Sequence, residues 1–270
     1  MPVGNTVTRI IVSIIAIPAI LLVSYLGSYY FISFCLLIGS ISYYELWVFV
    51  KDKNINVNLL LGISSIVLVI TNVFNHFIDF YFLTILIIAA VTLIELFRNN
   101  GSPIINTGTT LLGIFYIGLF SSALVYLREL YPTDYEKGGF IIISVLISIW
   151  ICDSAAFFGG TALGKHKLFP RVSPKKSWEG AIFGFIFSVL TMILARLIAL
   201  DFLSLFNVIV IGIIIGILGP IGDLVESLLK RDSAVKDSSS FIPGHGGFFD
   251  RFDSLLFSTP VIWIYLRYFG

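Results

Sequence analysis

Apolar residues arrive in long runs divided by short polar breaks. Runs long enough to cross a bilayer, about 17–25 residues each, fall near 8–27, 29–50, 58–75, 78–97, 109–127, 140–159, 179–200, 205–229 and 253–269. The pattern predicts an all-α fold: a polytopic membrane helix bundle of about nine transmembrane helices with cytoplasmic catalytic loops. Gly219-Pro220 inside the 205–229 run is expected to kink or break that helix, because proline has no amide hydrogen to donate. The short 76–79 connection leaves room for a re-entrant hairpin. No small-residue cleavage site follows the first run, so it reads as a retained helix and not a removed signal. No soluble domain, repeat or low-complexity tract interrupts the pattern.

Positive charges give the orientation. With the N-terminus in the cytoplasm, the inner segments hold Arg9, Lys51, Lys53, Arg98, Lys165, Lys167, Arg171, Lys175, Lys176, Lys230, Arg231, Lys236 and Arg251, 13 in all, and the outer side keeps 4: Arg128, Lys137, Arg196 and Arg267. The halves differ in character. Residues 1–139 read as N-terminal transmembrane helices with ordinary connections. Residues 140–270 read as a catalytic transmembrane region, whose loops from Asp153 onward are long, glycine-rich and crowded with charge.

Composition agrees with a lipid setting. Of the 270 residues 57% are hydrophobic and 12% charged, with a mean hydropathy of +0.99, whereas soluble domains carry about a quarter charged residues. A net charge of +1 gives no electrostatic reason to expect a nucleic-acid partner. Cys35 and Cys152 lie far apart in apolar runs and read as small buried hydrophobes.

Chemistry-bearing residues form two groups. The first starts at Asp153, an acid near the end of an apolar run, where a charge is costly enough to suggest function. It continues through Gly159-Gly160 and Gly164-Lys165-His166-Lys167 to Ser173-Pro174-Lys175-Lys176-Ser177-Trp178-Glu179-Gly180. Glycines admit close backbone approach, and lysines and arginines neutralise a polyphosphate. The topology rule alone accounts for Lys165 and Lys167. Gly159 to Lys165 also fits GxxxxGK, but His166 stands where a magnesium-binding Ser or Thr is required, and a membrane helix precedes the loop where a strand is required.

The second group is denser. Asp223, Glu226, Ser227 and Lys230 sit at i, i+3, i+4 and i+7, a spacing that places them on one helical face, with Arg231 next. Lys236-Asp237, Pro243-Gly244-His245-Gly246-Gly247, Asp250-Arg251 and Asp253 follow. Asp250 and Asp253 open the last helix, where carboxylates are favourable with or without a metal. Four carboxylates among lysines and arginines exceed what caps require, and carboxylate oxygens with substrate phosphates are how magnesium is usually held. His245, in a flexible polar loop, suits phosphate contact or loop shaping better than metal binding, since His76 and His166 are too scattered to join it.

Ser227-Leu-Leu-Lys230-Arg231, then Lys236-Asp237, then Ile242-Pro243-Gly244-His245-Gly246-Gly247-Phe248-Phe249-Asp250-Arg251-Phe252-Asp253 closely resembles the signature of the CDP-diacylglycerol synthase (phosphatidate cytidylyltransferase) family. The Asp153 segment and the 173–180 run resemble that family's other marked regions. The likeness rests on motifs over roughly 150–257 and on hydropathy elsewhere. Ser239-Ser240 departs from it, since relatives often have Gly followed by a polar residue such as His. The resemblance implies an inner-membrane, magnesium-dependent nucleotidyltransferase that moves CMP from CTP to phosphatidate, giving CDP-diacylglycerol and pyrophosphate. Its partners are then CTP, phosphatidate and the lipid bilayer, with a homodimer left open.

On that basis Asp223, Lys236, His245, Asp250 and Arg251 are the expected catalytic residues. Asp223 and Asp250 are the expected core metal ligands for one or two Mg2+ ions, supported by Asp253 and Glu226. Asp153, Ser173, Lys175, Lys176, Ser227, Lys230 and Arg231 are the expected substrate contacts. A CTP-dependent polyprenol or phytol kinase shares substrate and setting but needs a general base. A secondary transporter would account for the intramembrane acids Glu45, Glu95 and Asp153 but not for acids and bases clustered in two loops.

Overall fold

The computed structural model describes the chain apart from residues 1, 2, 52, 236, 237, 240 and 243–245, and apart from the side chains of residues 3–7 and 9. Every predicted apolar run is helical. In chain order the elements are α1 (Val3–Leu26), α2 (Ser28–Lys51), α3 (Leu59–Asn75), α4 (Phe80–Leu96) and α5 (Pro103–Gly113), which passes through a π-helical turn (Ile114–Leu119) into α6 (Phe120–Arg128). There follow α7 (Tyr135–Leu163), β1 (Lys167–Phe169), β2 (Ser173–Ser177), α8 (Trp178–Ile198), α9 (Leu205–Asp232) and α10 (Phe249–Tyr268). The antiparallel β1–β2 hairpin is a short departure from an all-α chain.

The expectation of nine transmembrane helices does not hold. Among the described residues, five helices are long and apolar enough to cross a membrane: Ser28–Lys51, Pro103–Arg128, Tyr135–Leu163, Trp178–Ile198 and Leu205–Asp232. The remaining runs stop short for local reasons. Asn58 caps α3 by accepting from Leu61 N, and His76 closes it in the left-handed conformation, leaving 17 residues. Asp79 caps α4, also 17 residues long. At 1.5 Å per residue such helices reach about 25 Å, less than the roughly 30 Å of hydrocarbon. In α1 the apolar stretch among the described residues is Ile10–Leu26. α10 carries Asp250, Arg251, Asp253 and Arg267 within its 20 residues, too much charge for a span.

Between α3 and α4 the chain makes a tight turn. The Asn72 amide donates to Ile78 O and accepts from Ile78 N, both at 2.9 Å, leaving no length for a re-entrant hairpin. α9 runs through Pro220 without a break. Side chains supply donors to the carbonyls there, as in other proline-containing membrane helices: Ser254 Oγ to Gly219 O at 3.0 Å and Lys176 Nζ to Pro220 O at 3.4 Å.

The chain divides into two compact units, Met1–Tyr126 with Asp232–Arg251, and Leu127–Arg231 with Phe252–Gly270. In the first unit, Ile38, Ile66, Ile70 and Ile114 form a fully buried apolar core. Its polar counterpart is Asn106, which donates to Glu95 Oε1 at 2.7 Å and accepts from Asn56 N at 2.8 Å, while Arg98 lies 3.5 Å from Glu95. Glu95 is thereby a structural acid with named partners.

In the second unit small residues let helices approach backbone to backbone, the usual means of packing apolar helices in lipid. A Cβ at Gly180 would lie 2.6 Å from Ala156 O, and one at Gly212 2.6 Å from Val189 Cα. One at Gly222 would lie 2.7 Å from both Asp253 O and Phe257 Cβ, so glycine there is what brings α10 against α9.

Candidate active site

The close α9–α10 approach gathers acids in the second unit. One carboxylate oxygen from each of Asp223, Glu226 and Asp253 lies within 4.8 Å of the other two. Asp223 and Glu226 come from one face of α9, as their i, i+3 spacing requires. Asp253 comes from α10, where its Oδ1 also accepts from Ser254 N at 2.6 Å. Glu226 is fully buried and Asp253 nearly so.

Two lysines lie on these acids. Lys230 Nζ is 2.6 Å from Glu226 Oε2, one turn along α9, and is itself buried. Lys176 Nζ, from β2, is 2.5 Å from Asp223 Oδ2. Ser227 Oγ donates to Asp223 Oδ1 at 3.2 Å. Burial, and after it the neighbouring Asp223 carboxylate, pushes the Asp253 carboxyl well above the usual carboxylate range, with Asp153 adding to the rise and Ser254 N and Lys176 opposing it. A buried acid that favours its proton, beside two other carboxylates, has oxygen-only chemistry suited to a hard divalent cation, which would replace that proton.

The hairpin positions the basic residues. Ser177 ends β2 and caps α8 by accepting from Gly180 N at 3.2 Å. Ser173 is half-buried and Lys175 exposed on the same strand. Arg231 Nε donates to Val172 O at 3.5 Å, tying the end of α9 to the hairpin turn. Asp153 lies exposed on α7. Gly159 to Leu163, the start of the GxxxxGK match, are part of α7, so no phosphate-cradling loop forms there.

In the first unit the signature segment is held from α2. Asp250 Oδ2 accepts from Gly247 N at 2.9 Å and from both Ser238 N and Ser238 Oγ at 3.2 Å. Arg251 is exposed at the start of α10. Lys236 and His245, together with Asp237, Pro243 and Gly244, lie outside the described residues.

Beneath this segment sits Glu45, fully buried on α2. Its carboxylate accepts from Ser239 Oγ at 2.5 Å, Phe248 N at 2.7 Å, Ser238 Oγ at 2.8 Å and Phe249 N at 2.7 Å. In the sequence Glu45 is visible only as an acid inside an apolar run; its tie to residues roughly two hundred positions away is not.

Comparison with known proteins matches the cytidylyltransferase family model over residues 7–269. The chain is similar to phosphatidate cytidylyltransferases from several bacteria. It is 42% identical over 153 residues to that of Haemophilus influenzae, covering 52% of this chain and 51% of the relative. It is 41% identical over 157 residues to that of Staphylococcus saprophyticus, covering 58% and 57%. The chain thus spans little more than half the length of these two relatives. With the Synechocystis enzyme the identity is 30% over 283 residues, covering 96% of this chain and 95% of the relative. A family match across nearly the whole chain, with a relative aligned over almost all of both sequences, makes this chain a member of the phosphatidate cytidylyltransferase family.

Proposed function

We infer that the chain transfers CMP from CTP to phosphatidate. A phosphate oxygen of phosphatidate forms a bond to the α-phosphorus of CTP. The bond from that phosphorus to the β-bridging oxygen breaks, and pyrophosphate leaves with the electron pair. The observation that carries this reading is the cluster of Asp223, Glu226 and Asp253 with Lys176 and Lys230 on its edges.

Such a site suits the reaction. The nucleophile is already an anion, so no general base is needed; the work is to hold two anions in line and to stabilise charge on the leaving group. Magnesium held by Asp223, Glu226 and Asp253 would supply that charge stabilisation when bound. Lys175, Lys176, Lys230 and Arg231 supply positive charge for the triphosphate and lipid headgroup, a role that the signature segment's Lys236 and Arg251 share by sequence. Ser173, Ser227, Asp153 and His245 complete the contacts, His245 as a phosphate-contacting residue.

The acyl chains of phosphatidate stay in the bilayer, which fits a chain with five helices long and apolar enough to span it among the described residues. The basic hairpin before α8 faces the cytoplasm, where CTP is found, across the inner membrane. Three of the five spans precede it, which puts the segment ahead of α2 on the outer side and not in the cytoplasm as nine runs would have it. Purified protein in vesicles offered phosphatidate or a polyprenol with labelled CTP tests the assignment. Label from the α-phosphate is expected in lipid with phosphatidate alone. Label from the γ-phosphate in polyprenol would instead mark a kinase and overturn it.

A further inference from the structure

We propose that Glu45 is a positioning residue that clasps both feet of the signature loop. This rests on the transferase reading above only for the consequence to turnover. All the contacts lie within the first unit. Ser238 and Ser239 precede residues 240–247, and Phe248 and Phe249 follow them. One carboxylate therefore holds together the residues that flank the Pro243-Gly244-His245-Gly246-Gly247 stretch of the sequence.

Each carboxylate oxygen serves both feet. Oε1 accepts from Ser239 Oγ and Phe248 N, and Oε2 from Ser238 Oγ and Phe249 N. The Phe249 amide opens α10 and the Phe248 amide immediately precedes it, where N–H groups have no partner within the helix. Glu45 satisfies them from α2. A buried carboxylate receiving four donors is well compensated, and each hydrogen bond to a charged group is stronger than a neutral one.

The neighbouring residues fit the clasp. A Cβ at Gly247 would fall 1.6 Å from Ser238 Oγ and 2.9 Å from Glu45 Oε2, so any side chain there would force the serine off the carboxylate. Asp250 Oδ2 binds the same Ser238 from the helix side. Lys53, just past α2, pairs with Asp232 at 2.6 Å where the segment leaves α9, although that pair is exposed and adds little by itself. Ser239, a departure from the family pattern, is thereby a clasp residue and not a substrate ligand.

Glu45→Gln tests this, since its amide would set two donors against N–H and O–H groups. In vesicles, kcat for CMP transfer is expected to fall about 100-fold, the cost of a misplacement of roughly 1 Å. Amide exchange across 238–249 is expected to accelerate at least about tenfold while the rest of α2 keeps its protection. Glu45→Asp, which retains both oxygens, is expected to recover part of kcat. Glu45→Gln with Ser239→Ala is expected to be no worse than Glu45→Gln alone, as befits one unit. Unchanged exchange in 238–249, or faster exchange spread over the whole chain, would overturn the proposal. So would a kcat within about twofold of wild type, by the same misplacement argument. If wild-type protein makes no CDP-lipid, the transferase reading fails, and the exchange measurement still decides the clasp.

Discussion

Lys176 on β2 and Asp223 on α9 meet at 2.5 Å, and through that pair a hairpin outside the helices delivers a cation to the acid cluster. Its strand neighbour Lys175 points to solvent. Strand alternation, which sends successive side chains to opposite faces, separates the two lysines.

Their removal is therefore expected to differ. Lys176→Met should lower CMP transfer by about 10²–10³-fold, the usual cost of losing one preorganised electrostatic group. Lys175→Met should raise KM for CTP with a smaller effect on kcat. Steady-state kinetics in vesicles checks the split, and equal mild effects would remove Lys176 from the site.

Arg251 and Lys165 form a second contrast. Arg251→Lys keeps the charge and loses the planar fork that holds phosphate at two points. Hydrogen bonds to charged groups are worth about 1.5–3 kcal/mol, so a loss of roughly ten- to hundredfold in kcat/KM is expected. Lys165→Arg, at a position that the topology rule alone explains, should leave the rate nearly unchanged. Matching effects at both positions would mean that the loops are merely positive-inside.

Glycines on α9 give a packing test. Gly222→Ala places a methyl 2.7 Å from Asp253 O, and overpacking of this kind costs about 1–3 kcal/mol. Lower thermal stability in detergent and loss of turnover are expected together. Gly219→Ala meets nothing nearer than 3.8 Å and should keep both. Equal tolerance at the two positions would contradict the close α9–α10 contact.

Orientation is open to a labelling experiment. Single cysteines at Lys167, in the hairpin before α8, and at Asp201, between α8 and α9, replace the buried Cys35 and Cys152. α8 crosses once between them. An impermeant thiol reagent applied to intact cells should label position 201 and spare 167, with the pattern reversed in inverted vesicles. The opposite result would invert the charge-based topology.

Much of this was legible in the residues. Apolar runs marked each helix because lipid demands unbroken hydrophobicity, and the face of Asp223, Glu226, Ser227 and Lys230 followed from helical spacing alone. The number of spans was not legible, because caps such as Asn58 and Asp79 and the charges on α10 decide whether a helix reaches across the bilayer. Nor were the partners of Lys176 and Glu45. Both depend on contacts across dozens to hundreds of residues, which no local period encodes.

The most direct test of the account follows α-labelled CTP into phosphatidate as magnesium is raised, comparing wild type with Asp253→Asn and Asp223→Asn. Wild type should incorporate the α-label in a magnesium-dependent manner. Both variants, folded and inserted, should need at least about tenfold more magnesium or fail entirely, the scale on which metal-site changes act. Incorporation that is independent of magnesium, or variants indistinguishable from wild type at limiting magnesium, would contradict it.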